Sequence, residues 1–214
     1  MKKKIPVITI DGPSGVGKST LSKIIATKLR WKLLESGKIY RYLAYFAMSN
    51  NITINEKNIV FFIKNLDELL KHNKDTDQVI NNEKISTISS QLSIFPKIRE
   101  LLLNKQRSFR SFPGLIAEGR DMGTVIFPDA DVKFFLNADL NVRVTRRILE
   151  LQQKGFFISF KELFVKMYDR DQQDQNRLFS PLCIPKNAII LNSTNMSLSE
   201  VVKYSMQYIM KKIK

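Results

Sequence analysis

The chain has one cysteine and one histidine in 214 residues, and that scarcity removes several chemistries at once. Cys183 has no partner for an internal disulfide. Cys183 and His72 together cannot assemble a Cys/His zinc site, so any metal must be held by oxygen. Cys183 reads as a small loop or core residue, and His72, in the polar run Lys71-His72-Asn73-Lys74, as a solvated one. Long apolar runs are missing too. Runs such as Ile59-Val60-Phe61-Phe62-Ile63 fall far short of the roughly 20 residues that span a bilayer. Lys2-Lys3-Lys4 before Ile5-Pro6-Val7-Ile8-Thr9-Ile10 imitates the start of a signal peptide, but Asp11 interrupts it before an apolar region of about 7–15 residues forms. The expectation is a cytoplasmic protein with no membrane partner. Acidic residues are also few. Thirty-five Lys and Arg against 20 Asp and Glu leave a charge of +15, which invites nucleic acid, anionic lipid or phosphorylated small molecules. Twenty-four of those cations are lysines scattered along the chain, without a run of five or an aromatic-basic interleave, so the excess reads as solvated surface and no nucleic-acid partner is expected.

What is present is a globular composition, 43% hydrophobic and 26% charged, of a length that fits one medium domain with inserts. The β-rich run Ile5 to Ile10 is followed by Asp11-Gly12-Pro13-Ser14-Gly15-Val16-Gly17-Lys18-Ser19-Thr20, after which Leu21, Ile24, Ile25, Ala26 and Leu29 recur at helical spacing. Strand, glycine loop and helix stand in the order that a phosphate-binding loop requires, and Gly12 to Ser19 matches G-x-x-x-x-G-K-[ST]. Glycines at 12, 15 and 17 allow positive φ and gather backbone N–H groups around an anionic oxygen at the positive end of the following helix. Lys18 then reaches β- and γ-phosphate oxygens, and the Ser19 hydroxyl offers a hard ligand to Mg2+. The loop alone leaves switches, motors and small-molecule kinases open. A guanine-nucleotide switch needs N-K-x-D, and Asn73-Lys74-Asp75-Thr76 ends in Thr, which excludes that reading.

Two further polar segments follow predicted strands. Trp31-Lys32-Leu33-Leu34 runs into Glu35-Ser36-Gly37-Lys38-Ile39-Tyr40-Arg41-Tyr42, a hydroxyl and glycine at a helix start with an arginine one turn in, which suits a second anion site. Pro113-Gly114-Leu115-Ile116-Ala117 ends in Glu118-Gly119-Arg120-Asp121-Met122-Gly123-Thr124, where ligand groups of an open parallel sheet collect. Pro96 fits the first turn of a helix carrying Leu101, Leu102, Lys105 and Gln106. Later, Gly155 marks a helix stop, and Ser159 with Glu162 a capping box opening a helix on which Arg170, Asp174 and Arg177 share one face. Asp131 to Leu136 and Ala188 to Leu191 read as two more buried strands, each followed by a helix. Leu198, Val201, Val202, Met206, Ile209 and Ile213 form the apolar stripe of the last helix.

Taken in order, Asp11 to Lys18, Glu35 to Arg41, Glu118 to Pro128 and Arg170-Asp171-Gln172-Gln173-Asp174-Gln175-Asn176-Arg177 resemble bacterial cytidylate kinases over nearly the whole chain. The most specific element is the G-R-D-x-G-T-x-x-F-P run from Gly119 to Pro128. The resemblance implies transfer of the γ-phosphoryl group of ATP to CMP or dCMP with Mg2+, by a monomer. It puts ATP on Gly12, Pro13, Ser14, Gly15, Val16, Gly17, Lys18, Ser19 and Thr20, with Arg143 and Arg147 near its base and phosphates. Ser36, Arg41 and Arg120 would hold the acceptor's phosphate end, Ser90, Arg99 and Asp121 its base, and Asp174 its ribose, with Gly37 and Tyr40 also binding the acceptor. Arg170 and Arg177 would converge on the phosphates, making Lys18, Arg120, Arg170 and Arg177 the catalytic set.

The expected fold is a three-layer α/β P-loop domain with five parallel strands. Its core covers about 1–36, 101–153 and 179–214, with an acceptor-binding insert at about 37–100 and a mobile lid at about 154–178. Departures from the family pattern are Glu35 and Lys38 at the acceptor rim, Gln173 and Gln175 in the lid, and a short polar segment between His72 and Ser90.

Overall fold

A computed structural model of the chain describes residues 4–53, 58, 79–80 and 82–213; His72, the apolar run 59–63 and the stretch 73–76 lie outside them. In chain order the elements are β1 (Val7–Asp11), α1 (Lys18–Leu29), β2 (Lys32–Glu35), α2 (Ser36–Ser49), α3 (Glu83–Leu92), α4 (Pro96–Arg107) and β3 (Leu115–Gly119). A π-helical turn (Met122–Ile126), β4 (Val132–Asn137), α5 (Leu140–Gln153), α6 (Phe160–Asn176), β5 (Ile189–Asn192) and α7 (Leu198–Lys212) complete the set. The five strands form one parallel sheet in the order β2-β3-β1-β4-β5, as the sequence led us to expect.

The order explains the burial. β1 lies between β3 and β4, with Thr9 level with Ala117 on one side and Lys133 on the other, and every residue of it is buried. Fully apolar runs are what a strand covered on both faces requires. β5 was expected to be buried and is instead an edge strand: it pairs with β4 alone, Leu191 is buried and Ile190 faces solvent.

The residues fall into two compact units, one comprising Met1–Leu34 with Phe109–Lys214, the other Glu35–Ser108. In the first, Ile8, Ile10, Leu21, Ile25, Ile116, Phe134 and Leu136 form a core closed by Val201 and Ile209 of α7. Phe134 meets Tyr208 edge-on at 6.2 Å between ring centres. Leu198, expected in that stripe, is exposed, and Ile213 lies one residue past the helix. A second cluster, Val144, Leu151, Leu163 and Met167, zips α5 to α6. In the second unit α2 and α3 pack together, burying Ile39, Leu43, Ala47, Ile85 and Leu92.

The helix ends follow local chemistry. Asn82 caps α3 by accepting from the Ile85 N–H at 2.9 Å, and Pro96 opens α4. Gly155 takes φ +79° after α5, where the stop was expected. Ser159 caps α6 through the Glu162 N–H, but the Glu162 carboxylate reaches forward to Lys166; the reciprocal box stands at Ser197 and Glu200 of α7. Arg177 was expected on α6 and is the first residue beyond it: its ψ of 141° turns the chain away so that its Nε donates to the Ser180 carbonyl at 2.6 Å.

Gly114 lies flat beneath the indole of Trp31, the only tryptophan. A Gly114→Ala change therefore drives a methyl into the ring. Urea unfolding should show a loss of about 1–3 kcal/mol, with a shifted Trp31 emission.

Candidate active site

β1 ends at Asp11, and the chain turns through Gly12, Gly15 and Gly17 at φ +149°, +71° and +96° before α1 starts at Lys18. A Cβ at Gly12 would enter the Leu136 carbonyl, so the close approach of β4 admits only glycine there. Val16 drops into the core and anchors the loop. Gly17 offers α1 no side-chain cap and its first turn holds no acid, which leaves the positive end of the helix to an external anion.

Three successive carbonyls of the loop each accept from a basic side chain. Arg120 donates to Gly12 O at 2.9 Å, Lys18 Nζ to Pro13 O at 2.7 Å and Arg143 to Ser14 O at 3.0 Å. Lys18 is buried, and that burial, reinforced by the charge of Arg120 and only partly offset by Glu118 and Asp174, lowers its ammonium to about 7.

The arginines are held in turn by α6. Asp174 accepts from Arg120 Nε at 2.7 Å and from Arg177 at 3.3 Å, and Asp171 accepts from Arg143 at 2.6 Å. Burial alone would raise Asp174, but the positive charges of Arg120, Arg170 and Arg177 outweigh it and hold the carboxyl below its usual range. Arg143 also donates to Ala138 O at 2.9 Å, while Arg147, one turn on, pairs with Glu150.

Asp11 was given no role from sequence. It accepts from the N–H groups of Met122 and Gly123, both at 2.8 Å, capping the π-helical turn from another strand. Burial pushes its carboxyl up to about 7, against the pull of those two bonds. The turn fixes buried Asp121, whose carbonyl accepts from Val125 and Ile126, just beyond the C-terminal end of β3. Glu118, also unassigned from sequence, accepts from the Ser19 hydroxyl at 3.0 Å, and its other oxygen is buried with no hydrogen-bond partner among the described residues. A strand-end acid beside the loop is the signal that could have marked both Asp11 and Glu118. Asp171 carried no such signal.

In the second unit, buried Ser36 at the start of α2 accepts from Gln106 at 3.0 Å. Gly37 is exposed, Arg41 half-buried, and Lys38 pairs with Glu35 at 2.9 Å. Arg99 lies 5.7 Å from the centre of the Tyr40 ring and donates to the Ser93 carbonyl at 3.1 Å. Ser90, buried one turn before the end of α3, accepts from the Ser93 hydroxyl through its carbonyl at 2.7 Å.

A glycine loop between β1 and α1 of a 2-3-1-4-5 parallel sheet, with a buried lysine and arginines around it, defines a P-loop phosphotransferase. The chain belongs to the cytidylate kinase family, whose sequence description, "Cytidylate kinase", matches residues 8–211. It is 48% identical over 221 residues to the cytidylate kinase of Buchnera aphidicola subsp. Baizongia pistaciae, covering 98% of this chain and 96% of that one. Against the cytidylate kinase of Shigella sonnei it is 43% identical over 219 residues, with 97% and 96% covered. Solved structures share the fold at low identity. They include a gluconokinase from Sinorhizobium meliloti 1021, with TM-score 0.50 and 12% identity over 98% of this chain and 94% of that one. Another is an uncharacterized protein from Eubacterium ventriosum ATCC 27560, with TM-score 0.51 and 15% identity over 96% and 98%.

The protein is thus an ATP-dependent nucleoside monophosphate kinase, which implies ATP together with a divalent cation. The residues fit a hard cation: the Ser19 hydroxyl and Glu118 carboxylate are oxygen donors side by side, one oxygen of the acid having no hydrogen-bond partner among the described residues. Among the described residues no helix is long and apolar enough to cross a membrane.

The Asp11 pair of bonds yields a pH test. Asp11 titrates near 7 in the folded protein and near 3.8 when unfolded, so its contribution to stability is fully present below about pH 4 and is lost as pH rises through 7. Asp11→Asn removes this titration and leaves one of the two N–H groups without an acceptor, a loss of about 1–3 kcal/mol. Thermal midpoints from pH 4 to 8 should show wild type's advantage over the variant shrinking as pH rises; a constant gap would refute the shift.

Proposed function

We propose that this chain transfers the γ-phosphoryl group of ATP to CMP or dCMP, giving ADP and CDP or dCDP. The observation that carries the proposal is the Gly119–Pro128 run, whose Arg120 and Asp121 lie fixed just past β3 in a chain that matches cytidylate kinases end to end. The resemblance supports Ser36, Gly37, Tyr40, Arg41, Ser90 and Arg99 of the second unit and Arg120, Asp121, Arg170, Asp174 and Arg177 of the first as acceptor residues. Gly12 to Thr20, with Arg143 and Arg147, serve ATP. The 37–100 segment acts as the acceptor insert and 154–178 as a lid that excludes water from the transfer. We take one chain, in the cytoplasm, to hold the whole set.

In the reaction an oxygen of the acceptor's phosphate attacks the γ-phosphorus, the bond to the β–γ bridging oxygen breaks, and ADP leaves with that electron pair. The attacking oxygen is already anionic, so no side-chain base is required. The chain supplies position and fixed positive charge. Backbone N–H groups of the loop and the end of α1 cradle the phosphates. Lys18, leaving Pro13 O, follows the transferring group, and the forked guanidinium groups of Arg120, Arg170 and Arg177 match its oxygens. Ser19 with Glu118 would hold Mg2+, which would supply Lewis-acid neutralisation of phosphate charge.

A coupled ADP-release assay with ATP, Mg2+ and each of CMP, dCMP, UMP, AMP, GMP and dTMP tests the proposal; no rate with either cytidine nucleotide ends it. Asp121→Ala should reduce kcat/KM for CMP by at least about tenfold more than for UMP. Lys18→Met should lower turnover with every acceptor by about 100- to 1,000-fold. Because Lys18 titrates near 7 in the free protein, ATP binding at pH 8 should draw a proton onto it. Calorimetry in buffers of different ionisation enthalpy reads that uptake, and none at pH 8 would mean that Lys18 is already charged.

A further inference from the structure

We infer that Asp171 is a positioning residue for ATP: it acts through Arg143, which fixes the direction of one backbone N–H in the phosphate loop. The inference rests on the kinase reading above and departs from it on Arg143, which it places behind the loop and not on the nucleotide.

The argument starts from the peptide plane. In a trans peptide the C=O of one residue and the N–H of the next point in opposite directions. Whatever holds a loop carbonyl on one side therefore aims the following N–H to the other. Lys18 on Pro13 O sets the Ser14 N–H, and Arg143 on Ser14 O sets the Gly15 N–H. Arg120 on Gly12 O has no such effect, since Pro13 carries no N–H. Lys18 is the group that moves to the phosphates in the reaction, so Arg143 is the cation that stays. Gly15 is also the residue most able to turn wrongly, because its φ of +71° lies where glycine has freedom.

Arg143 cannot hold Ser14 O unaided. Its guanidinium is buried, and its orientation is set by Ala138 O on one edge and Asp171 on another. Asp171 is itself buried, and its second oxygen has no hydrogen-bond partner among the described residues, so the pairing with Arg143 is what offsets the cost of burying the carboxylate. Packing agrees with this role. A Cβ on Gly15 would strike the Met167 methyl of α6 and crowd the Arg143 carbonyl, so α5 and α6 press directly on the loop at the peptide in question.

The test uses the full chain. A non-hydrolysable ATP analogue with Mg2+ is titrated by calorimetry, alongside KM for ATP, KM for CMP and the thermal midpoint. Asp171→Asn and Arg143→Lys should each weaken analogue binding and raise KM for ATP by about 10- to 100-fold. KM for CMP should stay within about twofold. The double variant should be no weaker than the worse single one, because both changes release the same N–H. Unchanged analogue affinity with a lowered midpoint would overturn the inference and leave only a strut. Effects that multiply in the double variant would also overturn it, by putting Arg143 on ATP itself. Should Arg143→Lys fail to fold, the isosteric Asp171→Asn carries the test alone. A wild-type chain that binds the analogue but does not phosphorylate CMP would sink the functional proposal while leaving this measurement intact.

Discussion

Everything at this site depends on holding a short stretch of backbone in a conformation that backbone alone does not favour. Gly12, Pro13 and Ser14 present three carbonyls in a row, and each is met by a basic side chain, from Arg120, Lys18 and Arg143. A buried carbonyl without a donor is costly, and three together would unravel the loop toward water. With them satisfied, the N–H groups of the loop are left for an anion. The sheet supplies the rest: β1 delivers the loop, β3 delivers Arg120, and β4, through Leu136, sets how closely Gly12 must approach.

The +15 charge looks different in this light. The cations that organise the loop are one lysine and a few of the eleven arginines, and their counterions are buried acids on α6. A guanidinium presents a rigid fork of donors: Arg120 gives Nε to a carboxylate and Nη1 to a carbonyl, and Arg143 gives Nη1 to both Asp171 and the Ser14 carbonyl. An ammonium cannot fix two directions that way. Other lysines, such as Lys38 with Glu35 and Lys166 with Glu162, pair with acids a turn away on their own segment.

What could be read from sequence was what is local in sequence. The strand-loop-helix from Val7 to Leu29, the Pro96 start and the Gly155 stop are set by neighbours a few residues apart, and they stand where expected. What was illegible was long-range. Asp11 meets Met122 across 111 residues, Ser19 meets Glu118 across 99, and Arg120 meets Asp174 across 54, none of which any periodicity encodes. The edge position of β5 is likewise a property of strand order, not of Ile189 to Leu191, whose composition is that of a buried strand. The turn at Arg177 was missed because spacing predicts a continuing face, whereas the Ser180 carbonyl draws the side chain and bends the chain out of the helix.

The acids of α6 bear on why a site for anions contains buried anions of its own. A guanidinium as buried as that of Arg143 is costly without a counterion; the penalty for an unpaired buried charge runs to several kcal/mol. Asp171 and Asp174 remove that penalty and, being one turn apart on one helix, hold two arginines with a single rigid element. In the proposed reaction Arg120 and the loop that Arg143 holds are thereby oriented before any phosphate arrives, so that transfer would need little reorganisation of dipoles. On the proposed function the arrangement would also moderate ground-state attraction, because Arg120 and Arg177 already share Asp174. Binding that is modest for the resting phosphates and stronger for the spread charge of the transition state is what raises turnover. A site of unopposed arginines would tighten on substrate and product alike.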